Sequence, residues 1–167
     1  MSKVNRRLTA FFIAAAVFAA DRGTKSLVEN RMSAYDSKTV IPGFFNIVRS
    51  DNTGVAFGMF ASAHTLVLVS ISLLAVALLA IMLWRIDRLD TASATGLALI
   101  FGGALGNVYD RVHSGRVTDF LDFYAGTYHW YTFNVADASI CTGAGLLLLS
   151  MLLTRDPGSQ PAHPKVH

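Results

Sequence analysis

Two aspartates, Asp119 and Asp137, flank an aromatic-rich polar stretch that separates the last two strongly apolar segments of the chain. An acid at the centre of a spanning helix costs about 2.5–3.5 kcal/mol, so acids kept beside apolar spans usually have a purpose. Two carboxylates held within a few ångströms cannot both ionise cheaply, and one keeps a proton while the other carries charge. Such a pair can activate water with one member and protonate a leaving group with the other. Taken alone, Asp137 has a plainer reading. Asn134 is a preferred N-cap, and an acid three residues later complements a helix N-terminus. The company of Asp119 is what favours a shared proton. Asp122, three residues beyond Asp119, would share its face if that segment were helical.

The run Gly102-Gly103-Ala104-Leu105-Gly106-Asn107-Val108-Tyr109-Asp110-Arg111 joins small residues to an abrupt polar cluster. Gly102 and Gly106 lie four apart in an apolar helix, which reads as a close-packing seam. It is no phosphate loop, because neither a preceding strand nor a Gly-Lys-Ser/Thr ending is present. Asn107 and Arg111 fall on one helical face, where they can hold a carbonyl or orient a carboxylate. The alternative is that Asp110 and Arg111 merely anchor the helix at the interface. His64, His113, His129, His163 and His167 are scattered without a His-Glu-x-x-His pattern, so no metal site is expected. Ser26 and Ser139 lack a nucleophile-elbow setting. No cofactor is expected either.

These residues must be positioned by a membrane-embedded scaffold. Of 167 residues, 53% are hydrophobic and only 15% charged, and mean hydropathy is +0.45; soluble domains are nearer ~25% charged. The net charge of +3 comes without the basic-aromatic clusters of a nucleic-acid binder, and reads as membrane-flank charge. Spans of about 8–28, 64–84, 91–110 and 135–154 each approach the ~20 residues that cross a bilayer. The first has a rival reading as a signal peptide, with Lys3, Arg6 and Arg7 ahead of an apolar core. Val17 and Phe18 are poor cleavage-site residues, and the pattern continues through Asp21 and Lys25, an acid-first i,i+4 pair, which favours a retained helix. Basic density at the N-terminus and in the 85–90 loop places both termini in the cytoplasm. Segments 29–63 and 111–134 then lie outside. Val40-Ile41 and Phe44-Phe45-Asn46-Ile47-Val48 read as strands of a small sheet, and Phe120 to Tyr131 supply an interfacial aromatic belt. The tail 155–167 is expected to be disordered, and Cys141 to be a small buried residue.

Asp51-Asn52-Thr53-Gly54-Val55-Ala56-Phe57, the Gly102–Arg111 run, Gly115-Arg116-Val117-Thr118-Asp119-Phe120 and Phe133-Asn134-Val135-Ala136-Asp137-Ala138 together resemble the motifs of the bacterial lipoprotein signal peptidases, signal peptidase II. Asp21-x-x-x-Lys25 fits as well, and the likeness runs over residues 8–154 in order. The resemblance implies an α-helical membrane protein with four transmembrane helices, a small extracytoplasmic β-sheet and a short interfacial helix. It implies an inner-membrane aspartyl endopeptidase, working as a monomer, that cuts diacylglyceryl-modified prolipoproteins on the amino side of the lipidated cysteine. By motif position Asp119 and Asp137 are the catalytic pair, and Asn52, Gly54, Asn107, Arg111 and Asn134 contact substrate or orient the pair. Asp21, Lys25 and Asp110 are structural. Thr118 stands where the family often has valine, which adds a hydroxyl beside Asp119. Two rivals predict otherwise: a transporter subunit relaying protons through Asp21, Asp110 and Asp137, and a non-enzymatic assembly factor. The first needs acids at mid-span, whereas these sit near span ends; the second tolerates loss of either aspartate.

Overall fold

The uncharged run from 65 to 84 forms one helix, α2 (Thr65–Trp84), and it sets the character of the molecule. Most of its side chains, including Leu66, Ile71, Leu74 and Leu78, are exposed, which an aqueous surface would penalise and a lipid surface accepts. The protein's computed structural model describes residues 3–54 and 65–153. Within them lie α1 (Lys3–Arg31), β1 (Ser37–Ile41), β2 (Phe45–Asn52), α2, α3 (Thr91–Ser114), β3 (Val117–Ala125), β4 (Tyr128–His129) and α4 (Val135–Leu153). A 3-10 turn, Ile86–Arg88, links α2 to α3. Residues 55–64, which end the Asp51–Phe57 motif and complete the 29–63 segment, lie outside the described residues, as does the 155–167 tail.

Among the described residues, three helices are long and apolar enough to cross a membrane: Leu66–Trp84, Thr91–Ser114 and Val135–Leu153. At 29 residues α1 is longer than any of them, reaching about 43 Å at 1.5 Å per residue. Its apolar run is interrupted by Asp21, Arg22 and Lys25, and the bundle absorbs the two that face inward: Asp21 and Lys25 are fully buried. The chain is a helical membrane protein carrying a small antiparallel sheet.

α3 is the central helix, packed against α1, α2 and α4. Its glycines explain how close the neighbours come. A Cβ at Gly102 would sit 2.6 Å from the Ala14 carbonyl oxygen of α1, and one at Gly103 2.5 Å from the Ala136 carbonyl oxygen of α4. The close-packing reading of the seam is therefore correct. On α4 the buried residues Ala136, Gly143 and Ser150 recur every seven positions and form the stripe that meets α3. Cys141 falls off that stripe and is exposed, contrary to the buried position expected of it.

α3 runs to Ser114, past the expected end near 110, and stops where Gly115 takes a left-handed conformation (φ 72°) with its N–H bonded to the Arg111 carbonyl. This turn delivers the chain directly into β3. There it joins β1 and β2 in a sheet that, among the described residues, has the order β1-β2-β3-β4 with antiparallel neighbours. The strand expected from Phe44 to Val48 extends to Asn52, opposite Val117, with Ser50 opposite Asp119. Asp119 and Asp122 thus lie on a strand. Residues three apart on a strand point to opposite faces, so the shared helical face considered for them does not exist. Val117, Thr118, Phe120, Phe123 and Tyr124 are β-branched or aromatic, and β2 offers them an edge.

Candidate active site

Asn134 is the hinge of the site. It caps α4 in the expected manner: its Oδ1 accepts the Asp137 N–H at 2.9 Å, and the Asp137 carboxylate accepts the Asn134 N–H at 3.3 Å. The same side chain then reaches outward, donating from Nδ2 to Asp119 Oδ1 at 2.6 Å. The plain capping reading of Asp137 is realised, and one asparagine also joins Asp137 to Asp119.

Each carboxylate is met by asparagine amides. Asp119 Oδ2 accepts from Asn52 Nδ2 at 2.9 Å, and Asp137 Oδ1 accepts from Asn107 Nδ2 at 2.8 Å. Asn52 is itself fixed, since its Oδ1 accepts the Gly54 N–H at 2.8 Å. Arg111 donates to the Gly54 carbonyl at 3.0 Å and to the Asn107 carbonyl at 3.2 Å. It ties the loop after β2 to α3, in place of the interface anchor weighed for it. Asp119 is buried, whereas Asp137 is half-buried. Burial pushes the Asp119 carboxyl up to about 6; the nearby Asp137 charge adds to this, while hydrogen bonds from Asn52 and Asn134 and the Lys25 charge pull the other way. A carboxyl raised by burial and by a neighbouring acid is the kind of perturbation that marks candidate functional sites.

Behind this pair lies a layer of buried ions. Lys25 Nζ contacts Asp21 Oδ2 at 2.8 Å and Asp110 Oδ2 at 2.7 Å. Arg22 pairs with Asp110 and lies over the Tyr109 ring, 4.8 Å from its centre. Asp21 reaches across to α4, where its Oδ1 accepts the Ala136 N–H at 2.9 Å. Their spacing makes Asp21 and Lys25 partners of each other. It contains nothing of their reach to α3 and α4, which depends on how the helices pack.

The structure brings Asp119, Asp137, Asn52, Gly54, Asn107, Arg111 and Asn134 together, and places Asp21, Lys25 and Asp110 in the adjoining layer. Asp122 is elsewhere, accepting from Asn46 Nδ2 at 2.9 Å and lying 2.9 Å from His129 Nδ1. Thr118 faces away from the pair, its hydroxyl donating to Glu29 Oε1 at 2.7 Å. Two positioning residues had no signal in the sequence. Glu29 is one; the other is Arg49, which donates to the Glu29 and Met32 carbonyls at 3.0 and 2.7 Å and so caps the end of α1.

Residues 13–153 match the family described as Signal peptidase (SPase) II. A lipoprotein signal peptidase of Solibacter usitatus (strain Ellin6076) is 53% identical over 150 residues, covering 87% of this chain and 92% of its own. One from Geobacter metallireducens (strain ATCC 53774 / DSM 7210 / GS-15) is 40% identical over 153 residues, covering 90% and 93%. A solved bacterial membrane enzyme superposes with a TM-score of 0.82 at 30% identity, over 93% of this chain and 94% of that one.

Proposed function

This chain belongs to the signal peptidase II family, and from that premise we propose that Asp119 and Asp137 are its catalytic pair. Its activity is the removal of signal peptides from prolipoproteins, as a multi-pass membrane protein. The observation that carries the assignment of the pair is the shared Asn134, which holds one carboxylate by its side-chain amide and the other at its helix cap.

In the reaction, ionised Asp137 takes a proton from water as that water attacks the scissile carbonyl, and protonated Asp119 donates to the departing amine. Asp137, in the first turn of α4, accepts from the Asn107 amide and from the Asn134 N–H. The raised Asp119 carboxyl keeps its proton to a higher pH than an ordinary aspartate. The Asn52, Gly54 and Arg111 loop, Asn107 and Asn134 border the place where the peptide would lie and position it. The bond cut is on the amino side of a cysteine bearing diacylglycerol, and binding of the lipid and the signal helix supplies the orientation energy.

The chain works as a monomer in the bacterial inner membrane, with spans of about 8–28, 64–84, 91–110 and 135–154. The site lies on the extracytoplasmic side with the sheet. Membrane lipid surrounds α2, whose exposed apolar surface supports that reading. Incubating the purified protein with a diacylglyceryl-modified precursor and with its unmodified form tests the substrate class. Mass spectrometry is expected to find a new N-terminus at the lipidated cysteine alone; equal cutting of the unmodified form would overturn the lipid requirement.

A further inference from the structure

An asparagine side chain has two ends of similar shape and opposite chemistry, and a half-turn exchanges a donor for an acceptor. At Asn107 the two ends face unlike neighbours. Nδ2 donates to Asp137 Oδ1 at 2.8 Å, and Oδ1 accepts from Lys25 Nζ at 3.0 Å. A second donor, Asn134 Nδ2, lies 3.4 Å from the same Oδ1. Turned around, the amide would set an oxygen against a carboxylate and a donor against an ammonium. Lys25 has no acceptor to offer, so it permits one orientation only.

Lys25 is itself held in place. Its ammonium donates to Asp21 Oδ2 and Asn107 Oδ1 and makes an ion-pair contact with Asp110 Oδ2, and the residue is fully buried. Asp21 and Asp110 balance Lys25 and Arg22, and beyond these ions the ammonium donates to a neutral amide that touches Asp137. The geometry points to Lys25 as a positioning residue of the reaction: by locking the Asn107 amide, it keeps a donor aimed at the Asp137 carboxylate. This rests on the reading of Asp119 and Asp137 as the pair. A donor held at a carboxylate favours its charged form. Among the described residues, Asp119 from β3 and Arg111 from α3 act on Asp137 directly, with Asp110 from α3 and Asp21 and Lys25 from α1 in the layer behind. The guanidinium of Arg111 is spent on two carbonyls, which leaves Asn107 as the side-chain donor to Asp137 within this set.

The test is the pH profile of kcat/KM for cleavage of a lipidated precursor by the purified full chain. Its acidic limb reports ionisation of the base in the free enzyme. Asn107→Leu removes the donor without adding charge, and is expected to move that limb upward by about one pH unit or more. Lys25→Met with Asp110→Asn removes the ammonium together with one of the carboxylates it neutralises, and is expected to move the limb in the same direction. Adding the Lys25 and Asp110 changes to Asn107→Leu is expected to move it no further. An acidic limb unmoved by Asn107→Leu overturns the proposal even if the Lys25 variant does not accumulate. A further full shift in the combined variant also overturns it, because the ammonium would then act through space. Failure of the aspartate pair itself shows separately, as turnover by Asp119→Asn or Asp137→Asn.

Discussion

At the scale of single residues, the two aspartates of the proposed site have unlike surroundings. Asp119 is buried with its carboxyl pushed up to about 6, against about 3.9 for an unfolded aspartate. A raised pKa means the folded protein holds a proton that the unfolded chain has already lost between those values. The contribution to stability is present below pH ~4 and fades as pH rises through ~6, an effect on the order of 2–3 kcal/mol. Asp119→Asn removes that titration, so its thermal midpoint in detergent is expected to vary less between pH 4 and 6 than the parent's. An unchanged pH slope would remove Asp119 as the raised group. Asp122, bonded to Asn46 and His129 on the other side of the strand, is expected to tolerate Asn with most activity kept, measured by gel-shift processing. The sequence singled out the two aspartates because acids beside apolar runs are rare and the motifs are ordered. It could not say that Asp119 sits on a strand, since period-2 and short helical patterns overlap in a segment of nine residues.

Among the elements, the precision of the site rests on how α1, α3 and α4 touch. Gly103 allows α3 to lie against the first turn of α4, the turn that carries Asp137, and a methyl there would meet the Ala136 carbonyl oxygen at 2.5 Å. Gly103→Ala is therefore expected to lower the thermal midpoint, at a cost of about 1–3 kcal/mol, and to reduce kcat as Asp137 shifts. On α4, a methyl added at Gly145 would meet nothing within 4 Å. Gly145→Ala should leave activity intact and stability equal or slightly higher, since alanine is the better helix former. Equal behaviour of the two variants would mean that the seam does not position the acid. Gly102 and Gly106 announced the seam in the sequence by their spacing. The partner of each glycine was not readable, because three helices compete for one face. Arg49 and Glu29 were invisible for the same reason: each acts across elements, on backbone or hydroxyl groups that carry no sequence pattern.

For the whole molecule, composition alone fixed the solvent, and the charge distribution argued for a direction across it. Lys3, Arg6, Arg7, Arg85 and Arg88 mark one end, where Arg7 pairs with Asp87 at 2.5 Å; the sheet and both aspartates lie at the other. In a Cys141→Ser background, Tyr128→Cys should react with a membrane-impermeant maleimide applied to intact spheroplasts, whereas Arg85→Cys should react only after permeabilisation. The reverse pattern would put the site on the cytoplasmic side and defeat the proposed encounter with an exported precursor. The central claim is tested most directly by purifying Asp119→Asn and Asp137→Asn and measuring cleavage of a diacylglyceryl-modified precursor beside the parent and Asp122→Asn. Both pair variants are expected to accumulate in the membrane at parental levels and release no signal peptide; near-normal turnover by either one would contradict the shared-proton mechanism.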